Sequence, residues 1–230
     1  MKKLALSLIC ASAFASNFVG FGFYGSSVDT DSEFDLNKKN LYSYEIYANK
    51  FYNEGENNFV YDVRLGYSHY KTDYILKDID FNGNFKAKLF SLQALAGYGI
   101  TAGNDASVSF LGGLGYEKLK LTLDDEFMKI YNLAIKIEPN LAFDMKPKSM
   151  FLKAGVAARK QFENNFTMSG GVYFKYFTKK VDFTKRFSPE VDLSLGYTFA
   201  NNIYAGVKFG YENTLIGNGG KAGFELGYKF

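Results

Sequence analysis

One cysteine and one histidine in 230 residues leave little room for the chemistries those side chains serve. A lone Cys10 excludes an intramolecular disulfide and any cysteine-rich zinc site. A lone His69 removes most metal-ligand and triad arrangements. No run approaches the roughly 18–20 consecutive apolar residues of a spanning helix, which excludes a helical membrane protein. The 27 Lys and Arg and 24 Asp and Glu are spread along the chain without a basic run. That spread argues against a nucleic-acid partner.

What is abundant is aromatic: 24 Phe and 18 Tyr, together 18% of the residues. The hydrophobic share is 47%, yet the mean hydropathy is only −0.16. Apolar and polar residues must therefore alternate finely.

The first fifteen residues form a distinct unit. Lys2 and Lys3 are followed by the apolar stretch Leu4 to Cys10, and Ala13-Phe14-Ala15 provides an A-x-A cleavage pattern, the three parts of a secretory signal. Cleavage after Ala15 divides the chain into a signal (1–15) and a barrel domain (16–230). Cleavage also removes two lysines from the formal charge of +3 and takes away the only cysteine. A lipid-modified Cys10 fits less well, because Ile9 before it is bulky and the apolar stretch would be very short.

From Asn17 to the C-terminus the pattern has a period of two, which places successive side chains on opposite faces of a strand. Phe59, Tyr61, Val63, Leu65 and Tyr67 oppose Asp62, Arg64, Gly66 and Ser68. Ala106, Val108, Phe110, Leu114 and Tyr116 oppose Ser107, Ser109 and Glu117. Val191, Leu193, Leu195, Tyr197 and Phe199 oppose Glu190, Asp192, Ser194 and Gly196. The polar face decides between a soluble sandwich and a membrane barrel. It mixes glycine and small residues with charges of both signs, while aromatics mark the ends of the apolar face. That composition fits an apolar lipid-facing band with aromatic girdles around a polar interior, and only a closed barrel satisfies every backbone group in hydrocarbon.

The sequence thus predicts an all-β, closed antiparallel transmembrane barrel in a bacterial outer membrane. Short Asn- and Gly-rich connections (53–57, 101–105, 163–165, 200–202) alternate with longer polar ones (26–40, 71–84, 120–128, 178–187, 213–221). This asymmetry assigns the short turns to the periplasm. Eleven strands can be counted, an odd number that does not return the C-terminus to the periplasm. Two repairs exist. Glu138-Pro139 splits the alternating segment from Ile130 to Met145, giving about twelve strands, or Ser149 to Phe162 is a periplasmic helix, giving about ten. Proline lacks a ladder donor and Gly155 weakens a helix, which favours twelve.

Several stretches resemble autotransporter β-domains of Gram-negative outer membranes: VSFLGGLGYEKL from Val108, LAIKIEPNLAFDM from Leu133, and the terminal AGFELGYKF. The signal leads almost directly into the first strand, so no passenger is expected. By the same resemblance, Tyr228 and Phe230 form the signal read by the barrel-assembly machinery.

No catalytic, cofactor or metal site is expected. His69 is in phase with the outward Leu65 and Tyr67, whereas Ser68 faces the other side, so the two cannot act as base and nucleophile. The inward phase gathers Glu45, Asp62, Glu117, Glu138, Asp144, Glu190, Asp192, Glu212 and Glu225 with Arg64, Lys136, Lys153, Arg159, Lys175, Lys208 and Lys229. Paired charges in a narrow barrel make a salt-bridged filling. A water-filled pore with a near-balanced lining is the alternative. Functionally, the expectation is a monomer in the lipid bilayer with a structural or surface-interaction role for an unidentified ligand. A small-solute channel stands second and a carboxylate enzyme third.

Overall fold

In a computed structural model, described for residues 18–27, 41–51, 58–76, 81–103, 105–137, 139, 144–181 and 184–230, ten strands close into a barrel. They are β1 (Phe18–Ser26), β2 (Leu41–Lys50), β3 (Phe59–Leu76), β4 (Phe81–Thr101), β5 (Ala106–Leu123), β6 (Lys148–Gln161), β7 (Phe166–Phe177), β8 (Phe187–Thr198), β9 (Ile203–Thr214) and β10 (Gly217–Lys229). Each pairs antiparallel with its sequence neighbours, and β1 pairs with β10 from Phe18↔Lys229 to Ser26↔Lys221 to seal the cylinder. One helix, α1 (Asp125–Ile137), lies between β5 and β6. No described helix is long and apolar enough to cross a membrane; the strands cross instead.

The even count is reached by neither proposed repair. Ser149 to Phe162 is not a helix: β6 occupies nearly all of it. The residue run read as an extra strand or two from Ile130 begins instead as α1. Asp125 and Glu126 lie in its first turn and Lys136 in its last, matching the helix dipole at both ends, and Pro139 follows just beyond Ile137.

Two turns at the end that the connection lengths assign to the periplasm share one geometry. In each, a Phe accepts a hydrogen bond from an Asn N–H (Asn165 to Phe162, Asn202 to Phe199, both 2.9 Å). Those asparagines adopt φ of 64°, a left-handed conformation that Asn tolerates better than most residues. The preceding asparagines, Asn164 and Asn201, accept from the backbone two residues on.

The outer side is less regular. β3 and β4 run 18 and 21 residues, well into the segment read as a loop. Above the last β2 partner at His69 and the last β6 partner at Lys118, β3, β4 and β5 continue to pair with one another, and β5 still donates from the Leu119 and Leu121 N–H groups to the Pro147 and Met145 carbonyls ahead of β6. They rise as a three-stranded wall. The 213–221 segment, also read as a loop, is hairpin: Thr214 pairs with Gly217 around the two-residue turn Leu215-Ile216.

The outward phase agrees with the sequence. Phe110, Leu114, Val191, Leu193, Tyr197, Phe199, Phe224 and Leu226 are exposed on the outside, where hydrocarbon would cover them. Because every strand of the closed cylinder is paired on both sides, the folded protein is expected to resist dodecyl sulfate at room temperature and to migrate faster in gels than the boiled chain. Identical migration of the two samples would contradict a closed barrel.

Candidate functional site

The alternation that turns apolar side chains to lipid turns charges inward, and the strand register brings them together in layers. In the outer half of the lumen, Lys175 on β7 is the centre. Its Nζ donates to Glu117 Oε1 and to the Asn213 carbonyl, both at 2.6 Å, and lies 3.5 Å from Glu190 Oε1. It also sits 4.2 Å above the Phe151 ring and 4.8 Å from that of Phe177. Lys153 pairs with the other Glu190 oxygen at 2.6 Å. The carboxylates reach further: Glu117 Oε2 accepts from the Leu215 N–H at 2.8 Å, and Glu190 Oε1 from the Asn213 N–H at 3.0 Å.

Those contacts fold the β9–β10 turn into the barrel mouth. Leu215 and Ile216 are almost fully buried, in one cluster with Leu41, Tyr70, Leu89, Leu119, Leu121, Phe151, Phe177 and Val181. The inward face of the β3–β5 wall supplies much of this cap. On β5 the polarity of the two faces reverses at Glu117 and Lys118: beyond them Leu119, Leu121 and Leu123 are buried inside while Lys118, Lys120 and Thr122 are exposed outside.

A second layer lies deeper. Arg64 binds Glu45 Oε2 through Nη1 at 2.8 Å and Asp62 through Nε at 2.9 Å. The Tyr24 hydroxyl donates to Glu225 at 2.9 Å and to Glu45 at 3.2 Å, and Lys208 stands 3.6 Å from Glu225. Ser194 donates to the other Glu225 oxygen at 2.8 Å and shares a hydrogen bond with Tyr204. Lys221 pairs with Glu212 at 2.6 Å. Inward tyrosines lie against glycine backbone: a Cβ on Gly20 would collide with the Tyr47 ring, and one on Gly196 with the Tyr204 ring. The periplasmic end is packed by Phe18, Phe51, Tyr47 and Tyr204.

Arg159 differs from its expected role. It has no carboxylate within ion-pair distance among the described residues; its guanidinium stacks on Phe18 and Phe51 at 4.7 and 4.9 Å. Lys229 reaches Gln161 rather than an acid. Asp192 lines the lumen near Arg64 and Lys208. Two expected members are not in the lumen at all. Lys136 is exposed on α1, and Asp144 is exposed after it, accepting from the Lys146 N–H. Both were assigned inward by a strand phase that the helix cancels. Glu138 lies outside the described residues, as do Ala13 and Ala15 of the signal segment.

Sequence reasoning missed the lumen tyrosines Tyr24, Tyr47, Tyr173 and Tyr204, and Lys221. Each sits on the inward parity of its strand, so the signal was present. The inward face is also less polar than expected. Val60, Leu95, Leu111 and Ala157 form a buried apolar patch with Tyr173.

Among the described residues, cavities of about 60 and 90 Å³ lie between these layers and share Asp62, Arg64, Tyr173, Asp192 and Lys208 as walls. At roughly 10–15 Å³ per water centre, they hold a handful of waters each. Tyr228 and Phe230 face outward at the periplasmic end, their rings in edge contact at 5.1 Å. His69 is half-buried on the outward face, with Ser68 buried on the inward one. No group of three or more metal-ligating side chains occurs among the described residues.

No protein-family model matches the chain, and no curated protein matches it in sequence. Solved structures do. The transport unit of the autotransporter AIDA-I from Escherichia coli superposes with a TM-score of 0.50 at 10% identity, over 99% of this chain and 97% of that one. The translocator domain of the autotransporter NalP from Neisseria meningitidis gives 0.53 at 11% identity, over 100% and 96%. The β-domain of the Bordetella autotransporter BrkA gives 0.51 at 7% identity, over 93% and 100%. The fold is that of bacterial outer-membrane barrels, and the apolar exterior is the matching observation on this chain.

Proposed function

We propose that this outer-membrane barrel is a closed, non-conducting surface protein that acts through its external face. The observation that supports this reading is the filled lumen. Leu215 and Ile216 sit inside the mouth, their turn latched through the Leu215 N–H to Glu117 and the Asn213 N–H to Glu190, and the cavities between the charged layers, about 60 and 90 Å³, are small. A solute path needs continuous water, and export of a polypeptide needs far more width. Meanwhile the chain invests in the outer side: a wall formed by the longest strands, and a helix whose Leu133 and Ile137 are 61% and 78% exposed. Such features suit contact with a partner at the cell surface.

The reading includes no catalytic role, since His69 and Ser68 face opposite sides. It treats the protein as a monomer inserted by the assembly machinery through Tyr228 and Phe230. In planar bilayers the purified protein is expected to give no unitary conductance steps. Regular stepwise currents from the folded protein would overturn the closed-barrel reading in favour of a channel.

A further inference from the structure

The basic residues that look scattered in sequence are gathered by the register. Lys71 on β3 pairs directly with Lys86 on β4, Lys88 on β4 with Lys120 on β5, and Lys118 on β5 with Lys148 on β6. All six lysines are exposed on the outward face. None makes an ion pair with a described carboxylate. Like charges placed directly opposite each other across strands are destabilising, and here this occurs three times on adjacent strands. The arrangement therefore carries a standing cost unless an anion lies over it.

Position along the strands says which anion. Towards the periplasm from the lysines, the same outward face becomes apolar. From Phe59 to Tyr67 on β3, and from Tyr98 to Phe90 on β4, it runs between aromatics at each end, a length close to the roughly 9–11 tilted residues that cross the hydrocarbon. The next outward positions beyond Tyr67, Phe90, Tyr116 and Met150 are His69, Lys88, Lys118 and Lys148. The lysines thus lie just outside the hydrocarbon band, at headgroup level, and they turn towards the bilayer instead of the barrel axis. The reversal of polarity on β5 marks the same boundary. Elsewhere around the barrel this level carries aromatics, among them Tyr42, Tyr176, Phe187 and Tyr211.

We infer that the outward lysines of β3–β6 form a binding site for the phosphate groups of outer-leaflet glycolipid. Ammonium groups on neighbouring strands, about 5 Å apart at the backbone, suit a headgroup bearing more than one phosphate. Each phosphate makes charge-assisted hydrogen bonds while its acyl chains lie on the apolar band below. The lipid then relieves the repulsion among the lysines.

The test uses the purified full chain in detergent. Lipid retained through dilution is counted by native mass spectrometry with bisphosphorylated lipid A, with its dephosphorylated form, and with inositol hexakisphosphate as a soluble polyphosphate. The wild type is expected to retain the bisphosphorylated lipid at least tenfold better than the dephosphorylated one. Joint replacement of Lys86, Lys88, Lys118 and Lys120 by Gln is expected to lower that retention at least tenfold. The corresponding four Arg substitutions keep the charge and are expected to preserve retention, which controls for folding. Replacing Lys179, Lys180, Lys185 and Arg186 by Gln removes the same charge from a different loop and is expected to change retention less than twofold. Equal retention by the wild type and the Gln variant would overturn the inference, as would equal loss in the loop variant. Tight binding of inositol hexakisphosphate without retention of lipid A would show a receptor for soluble polyanions and would also overturn it.

Discussion

Replacing Lys175 by Met is expected to lower the free energy of unfolding by about 3–5 kcal/mol, the range typical when one partner of a buried ion pair is removed. The magnitude is large because this ammonium serves two carboxylates, Glu117 at 2.6 Å and Glu190 at 3.5 Å, and a backbone carbonyl besides. Methionine fills a similar volume between Phe151 and Phe177 but leaves Glu117 buried and uncompensated. Glu190 retains Lys153, so Glu117 bears most of the loss. Adding Glu117→Gln to the variant is expected to recover part of the stability, since an amide is far less costly to bury than an unpaired carboxylate. Urea unfolding in lipid vesicles reads both values. The same variant loosens the latch on Leu215, so bilayer currents absent in the wild type are expected to appear. An unfolding energy within 1 kcal/mol of the wild type would show that the pair is a minor contributor here.

The other large effect is expected on the outside of the barrel. Ala154 and Ala158 lie on the same strand, β6, and both are exposed outward. Ala154 lies mid-way between Met150 and Ala158, at the level of hydrocarbon. Ala158 lies two residues from Lys160, near the periplasmic interface. A lysine at the bilayer midplane costs about 2–4 kcal/mol and near an interface about 0–1. Ala154→Lys should therefore destabilise the protein strongly in vesicles while Ala158→Lys has little effect. Leu65→Lys, mid-strand on β3, should join the first group and adds the loss of its own apolar surface. Equal values for Ala154→Lys and Ala158→Lys would contradict the depth assigned to β6.

Much of this arrangement is legible without coordinates, because a period of two leaves only one choice of faces per strand. Leu65, Phe110, Val191 and Phe224 go to lipid and Asp62, Glu117, Glu190 and Glu225 go inward as the alternation requires. The failure at α1 has a specific cause. Leu133, Ile135 and Ile137 alternate, yet a helix also places Ile130, Ala134 and Ile137 on one side, and a window this short fits both templates. Acidic residues at its start, Lys136 near its end and Pro139 beyond it favour helix. The β9–β10 turn was hidden differently. Asn213, Gly217, Asn218, Gly219 and Gly220 have the composition of an exposed loop, and nothing local shows that Leu215 and Ile216 turn back into the barrel. The lysine cluster was invisible for a third reason. Lys71 and Lys148 are far apart in sequence, and only the pairing of β3 through β6 makes their patch continuous.

The β1–β10 seam joins residues from the two ends of the described chain, and Tyr24 is placed across it. Its hydroxyl reaches Glu225 on β10 and Glu45 on β2, while Lys221 of β10 lies 5.1 Å from its ring. Before that seam forms, the sheet is an open gutter, and water solvates the inner charges from one side. Zipping the last pair of strands expels that water from both charged layers, and the same hairpin that carries β10 brings Leu215 and Ile216 into the mouth. Closing the cylinder, removing most solvent from the charges and shutting the mouth are thus coupled through one hairpin. An intermediate lacking only this step would leave open to water, along one side, the charges that the finished barrel shares with only a handful of waters.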